Sequence, residues 1–111
     1  MDRRVELVIA QIEADVAREW ETAPLAALVN LSPSRFRHLF KEETGGTITQ
    51  YVRARRLERA EFLLRTTFLS IKEVKSAAGL SSMSHFVQYF KQRYGVTPTK
   101  YRKQLAIFVK H

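Results

Sequence analysis

Residues 25–45 read LAALVNLSPSRFRHLFKEETG, and residues 74–95 read VKSAAGLSSMSHFVQYFKQRYG. The second stretch repeats the first. Leu25 to Ser32 match Val74 to Ser81 at an offset of 49. Phe36, Phe40, Lys41 and Gly45 match Phe86, Phe90, Lys91 and Gly95 at an offset of 50, which puts one extra residue between Ser81 and Phe86. Each copy reads as a short helix, a tight turn and a longer helix. Asn30 and Gly79 stand where the turn needs a positive φ, which these two residue types tolerate best. This is the layout of a helix-turn-helix, present twice.

The flanking sequence extends the helical reading. Val5, Val8, Ile9, Ile12, Val16 and Trp20 recur at helical spacing and predict a first helix from about Asp2 to Trp20. Thr22 is placed as the N-cap of a second helix, with Pro24 in its first turn and an end near Asn30. A third helix opens at Ser32–Pro33 and stops at Gly45. A longer fourth helix spans about Thr47 to Thr66 and reads as a rigid spacer. Ser70 and Glu73 form a capping box for a fifth helix that stops at Gly79. The sixth starts at Ser81 or Ser82 and ends at Gly95. Thr97–Pro98 caps a last helix reaching Leu105 or beyond. No stretch keeps the period-2 alternation of a strand, so the chain reads as all-α with about seven helices. The domain reading is residues 1–45 for the first helix and first helix-turn-helix, 46–66 for the linker helix, and 67–111 for the second helix-turn-helix and C-terminal helix.

Composition narrows the function. The chain has 111 residues, 45% hydrophobic and 27% charged, which suits a globular protein. Lys+Arg number 19 against 11 Asp+Glu, a net charge of +8, which points to an anionic partner such as nucleic acid. The charge is uneven. Residues 1–21 hold three basic and six acidic side chains, so the remaining 16 basic and 5 acidic residues all lie beyond them. With no cysteine, disulfides, thiolate metal sites and cysteine nucleophiles are excluded. No apolar run is long enough for a membrane span, and the first residues do not form a signal peptide, so the simplest reading is a cytoplasmic protein.

The second helix of each repeat carries the chemistry. In the third helix, Phe36, Leu39 and Phe40 form the core face. Ser34, Arg37, His38 and Lys41 fall on another face, with Arg35 at its edge. In the sixth, Phe86 and Phe90 are core and Tyr89 flanks them. Ser84, His85, Gln88 and Lys91 form the outer set, and Val87 is placed to touch a thymine methyl. Both outer faces lack a carboxylate at their centre and offer hydrogen-bonding groups and cations, which a major groove requires. The two helices share a scaffold and would read different base sequences. His38 and His85 lie in different repeats with no cluster of further ligands, so a metal site or a catalytic base is not expected. His111 is terminal and assigned no role. With no cysteine, Gly-rich phosphate loop or acid pair, the chain is read as no enzyme, with no cofactor.

LSSMSHFVQYFKQRYGVTPTKYRK and LSPSRFRHLFKEETGGTITQYVRARRLERAEFLL resemble the signature of the AraC/XylS-type transcription regulators of bacteria, over about Leu25 to Lys103. The Phe-Lys…Gly pattern, Tyr51…Arg56-Leu57…Ala60…Leu63-Leu64, and Gly95-Val96-Thr97-Pro98…Tyr101-Arg102 occur together. The resemblance implies two helix-turn-helix subdomains joined by a linker helix, with the third and sixth helices in successive major grooves of double-stranded DNA, ~34 Å apart. It implies base reading by Ser34, Arg35, Arg37, His38, Ser84, His85 and Gln88. It implies phosphate contacts at Lys41, Lys91 and Thr97, and at Arg53 and Arg55 of the linker. Arg56 matches an arginine that ties the linker to the subdomains. Lys75 departs from the pattern, which has a small residue there, and either snorkels out of the packing or adds a phosphate contact. Glu58 and Glu61 are placed to pair with Arg65.

Two partners beyond DNA follow from the resemblance: RNA polymerase, and a separate effector-binding or dimerisation domain for which this chain has no room. The chain reads as a small free-standing regulator or a fragment of a longer one, and as a monomer in isolation. The competing reading is a protein-interaction module that docks such a partner through the acidic first helix and the apolar tail Leu105–Val109.

Overall fold

The computed structural model describes residues 1–109, and side chains as far as Ala106. His111 and the side chains of Ile107, Phe108 and Val109 in the apolar tail therefore lie outside the described residues. Among these residues there are seven α-helices and no strand: α1 (Arg3–Ala14), α2 (Thr22–Leu28), α3 (Pro33–Thr44), α4 (Ile48–Thr66), α5 (Ile71–Ala77), α6 (Met83–Tyr94) and α7 (Pro98–Val109). The chain divides into two compact units, Met1–Arg55 and Arg56 onward, and the division falls inside α4.

The first unit is built on α1. Val5, Val8 and Ile12, spaced i, i+3 and i+7, are fully buried and form one apolar stripe. They meet Leu25 and Ala26 of α2, Phe36 and Phe40 of α3, and Ile48 and Val52 at the start of α4. Asp2 caps α1 by accepting from the Arg4 backbone N–H at 2.8 Å and pairs with the Arg4 guanidinium at 2.9 Å. The Arg4 hydrogen bonds hold the Asp2 carboxyl down at about 2. The Asp2 N–H donates to Glu43 at 2.5 Å, fastening the start of α1 to the end of α3.

Helix α1 is shorter than its periodicity predicts. It stops at Ala14, where Asp15 leaves the helical conformation at φ −154° and ψ 77°. Trp20 lies outside the helix, yet its indole N–H donates to the Asp15 carbonyl at 2.9 Å and its ring packs against the core. Val16 and Trp20 thus keep a helical spacing without continuing the helix. Thr22 is likewise the first helical residue of α2, and the cap position belongs to Glu21, whose side chain makes no capping bond.

The second unit repeats the scheme. Leu57, Ala60 and Leu64 of α4 have the same i, i+3, i+7 spacing as Val5, Val8 and Ile12, and are buried with Val74, Ala78, Phe86 and Phe90. The second half of α4 therefore serves this unit as α1 serves the first. Helix α4 is a shared structural member rather than a bare spacer, and its apolar residues divide between two cores. Ser70 and Glu73 make the capping box of α5 in full. The Ser70 backbone N–H donates to the Glu73 carboxylate, which keeps its pKa below the usual carboxylate value.

The repeat continues past the glycines. Thr47–Tyr51 and Thr97–Tyr101 are equivalent: Tyr51 packs edge-on to Phe40 at 5.6 Å, and Tyr101 to Phe90 at 5.5 Å. The Tyr51 hydroxyl donates to Glu13 of α1 at 2.8 Å, and the Tyr101 hydroxyl to Glu61 of α4 at 2.5 Å. Each tyrosine locks the end of its unit to the helix that began it. Burial and then the bond to Glu61 push the Tyr101 phenol up to about 12. Burial raises the Glu61 carboxyl, but hydrogen bonds from Arg65 and Tyr101 outweigh it and leave the group lowered. Glu61 pairs with Arg65 at 2.5 Å, as its spacing predicts. Glu58 instead reaches Arg93 of α6 at 2.7 Å, because it stands two turns from Arg65 rather than one.

Candidate nucleic-acid interface

The turn before the second helix of each repeat is closed by the backbone. Asn30 has φ 58° and Gly79 φ 82°, both left-handed. The reversal lets Leu31 N–H reach the Ala26 carbonyl and Leu80 N–H the Lys75 carbonyl, each at 3.0 Å. The extra residue of the second repeat sits in this turn and not in the helix. Ser32 caps α3 by accepting from the Arg35 N–H, and Ser82, not Ser81, caps α6 by accepting from the His85 N–H, both at 3.2 Å. From the caps onward the two helices match at a constant offset of 50, down to the left-handed Gly45 and Gly95 that end them.

Buried phenylalanines fix how each helix is rotated. Phe36 and Phe40, one turn apart, are fully buried, as are Phe86 and Phe90. With that face held inside, the opposite face must point outward. Ser34, Arg35, Arg37, His38 and Lys41 are all exposed on α3, and Ser84, His85, Gln88 and Lys91 on α6. Val87 is half-buried at the margin. Glu42 lies 3.9 Å from His38, with both side chains largely in solvent. On α6 the His85 ring leans on Tyr89, centroids 5.9 Å apart, and the Ser84 hydroxyl lies 3.2 Å from that of Ser82.

In the first unit the outer face runs into a cleft of 460 Å³ lined by Thr22, Arg37, His38, Lys41, Thr47 and Thr49. Thr47 caps α4 by accepting from the Gln50 N–H at 3.1 Å, and Thr97 caps α7 in the same way at 3.2 Å. Thr47 and Thr97 hold equivalent positions at the repeat offset of 50.

The linker cations differ from the helix faces. Arg53, Arg55 and Arg56 are all half-buried. Arg55 lies 3.8 Å from Glu13 and stacks over the Tyr51 ring at 5.0 Å, so part of its charge is spent inside the first unit. Lys75 is half-buried where its counterpart Ala26 is fully buried. Its ammonium reaches the Ser81 carbonyl at 3.4 Å, so the chain snorkels to the end of its own turn. Among the described residues no three His, Asp or Glu side chains converge on a metal position, and no helix is long and apolar enough to cross a membrane.

Two helix-turn-helix units, each presenting an exposed polar face on its second helix, define a tandem helix-turn-helix protein. Residues 25–104 match the family model described as a helix-turn-helix domain. The HTH-type transcriptional regulator GadX of Escherichia coli O6:H1 is 34% identical over 99 residues, covering 89% of this chain and 36% of GadX. A transcriptional regulator of the AraC-type DNA-binding-domain proteins from Chromobacterium violaceum has a TM-score of 0.84 at 30% identity, over 93% of this chain and 92% of that one. The DNA-binding domain of the global transcriptional factor AdpA, solved with a target DNA, has a TM-score of 0.85 at 25% identity, over 93% of each chain. The chain belongs to the AraC-type helix-turn-helix family. It spans about a third of the length of GadX.

Proposed function

We propose that the chain binds double-stranded DNA in a sequence-specific manner, as the DNA-binding part of a bacterial AraC-type transcription regulator. The observation that carries this reading is the pair of exposed outer faces on α3 and α6, free of acid at their centres and held outward by buried phenylalanine pairs. The AdpA domain, similar over 93% of the chain, was solved with its target DNA, which supports the same reading.

In this reading each outer face enters a major groove, one helical turn from the other. Ser34, Arg35, Arg37 and His38, and Ser84, His85 and Gln88, face base edges. Lys41, Lys91, Thr97 and Arg53 face phosphates, and Thr47 joins them by its equivalence to Thr97. Arg55 contributes less, since Glu13 already offsets it. The action is binding, with no chemical step. Further partners in this proposal are RNA polymerase and a separate effector-binding or dimerisation domain, meeting the chain on other surfaces, in the bacterial cytoplasm at the nucleoid.

The test is a titration of labelled duplexes at several salt concentrations. Specific DNA should be held at least ~10³-fold tighter than random duplex at physiological salt. Equal affinity for both at every salt concentration would reject sequence-specific binding.

A further inference from the structure

The two outer faces differ in chemistry at matched positions. At the offset of 50, Arg35 corresponds to His85, Arg37 to Val87 and His38 to Gln88, while Ser34 and Ser84, and Lys41 and Lys91, are unchanged. A guanidinium presents two parallel donors that fit the O6 and N7 acceptors of guanine. Helix α3 has two such groups, both exposed. The outer face of α6 has none. Its Lys91 stands almost a turn beyond Gln88, at the place of Lys41.

What α6 does present fits a different base pair. The exposed Gln88 carboxamide carries one donor and one acceptor side by side, matching the N7 acceptor and N6 donor of adenine. The half-buried Val87 offers an isopropyl group at the margin of the same face, and the thymine C5-methyl is the apolar mark of the major groove. The neighbouring polar groups are partly engaged within the helix, His85 against Tyr89 and Ser84 against Ser82.

We infer that the outer face of α6 reads A·T base pairs, with Gln88 on an adenine edge and Val87 on a thymine methyl, while Arg35 and Arg37 give α3 its preference for guanine. The inference rests on the DNA-binding reading above. The target site is thus chemically lopsided: a guanine-containing block under α3 and an A·T-containing block under α6.

Selection of duplexes from a random library by the intact chain supplies the two blocks, and parallel selections with Arg37→Ala and Gln88→Ala assign each to its helix. The block that blurs in Gln88→Ala should contain A·T pairs, with base discrimination falling about 5- to 150-fold at one position. Replacing thymidine by deoxyuridine in that block removes the methyl and alters nothing in the protein. Affinity should fall about fourfold per contacted methyl. Val87→Ala should bind the two duplexes alike. A Gln88-dependent block of G·C pairs, or equal affinity of the unaltered chain for thymidine and deoxyuridine duplexes, would overturn the inference and leave DNA binding intact. Failure to enrich any sequence would overturn the DNA-binding reading itself.

Discussion

Replacing Phe90 by Ala should dismantle one half of the chain and leave the other standing. Phe90 is fully buried, with its ring 5.8 Å from Phe86, 4.6 Å from Tyr94 and 5.5 Å from Tyr101. Removing a buried phenyl ring costs about 3–5 kcal/mol in transfer and cavity terms. Three aromatic pairs disappear with it, each worth about 0.5–1.5 kcal/mol beyond its area. A unit of roughly 55 residues holds only about 3–8 kcal/mol in total. The loss therefore matches or exceeds what the second unit has. The first core shares no residue with the second, so it should persist. Amide hydrogen exchange read residue by residue is the assay. Protection should vanish in α5, α6, α7 and the second half of α4, and survive in α1, α2 and α3. The selected DNA motif should shrink to the block read by α3. Loss of protection throughout α1–α3 at the same time would refute the division into two cores, and retention of both DNA blocks would refute the role given to α6.

Three further outcomes follow from the structure. Lys91→Ala should weaken binding to every duplex alike and reduce the slope of log affinity against log salt by about 0.9, whereas Arg37→Ala should cost ~1–3 kcal/mol on specific DNA and much less on random duplex; titrations at four salt concentrations separate the two. Asn30→Gly should be nearly neutral and Asn30→Val should lose about 1–2 kcal/mol or more in urea unfolding, because φ is 58° there and a branched side chain resists that conformation. The Tyr101 phenol is raised from 10.0 to about 12 in the folded chain, so the folded state holds its proton more tightly than the unfolded one. Its contribution is complete below pH 10 and is lost as pH rises toward 12; the stability of Tyr101→Phe should fall less steeply across that window.

Much of the fold was legible because the repeat is written in residue types with narrow conformational roles. Asn30, Gly79, Gly45 and Gly95 mark left-handed positions, and the buried phenylalanines recur at one-turn spacing. The end of α1 was not legible, because Val16 and Trp20 keep the apolar period while the backbone turns at Asp15. The Trp20 indole then donates back to the Asp15 carbonyl and folds the ring onto the core without a further helical turn. The double use of α4 was also hidden. Its apolar residues serve two cores, so no single stripe runs its length. The outer faces could be read once the core faces were known, since the two are complementary on one helix. The equivalence of Thr47 and Thr97 lies beyond the glycines and is carried by the shared Thr-x-Thr-x-Tyr spacing alone. The capture of Arg55 by Glu13 joins residues 42 apart in sequence, which local spacing does not encode.

The most direct test of the central claim is selection of bound sequences from a random duplex library by the intact chain at near-physiological salt. If both units read DNA, the enriched motif has two short blocks about one helical turn apart, one lost in Arg37→Ala and the other in Gln88→Ala. A library that shows no enrichment, with binding that disappears as salt rises, would contradict the account and leave only a cationic surface.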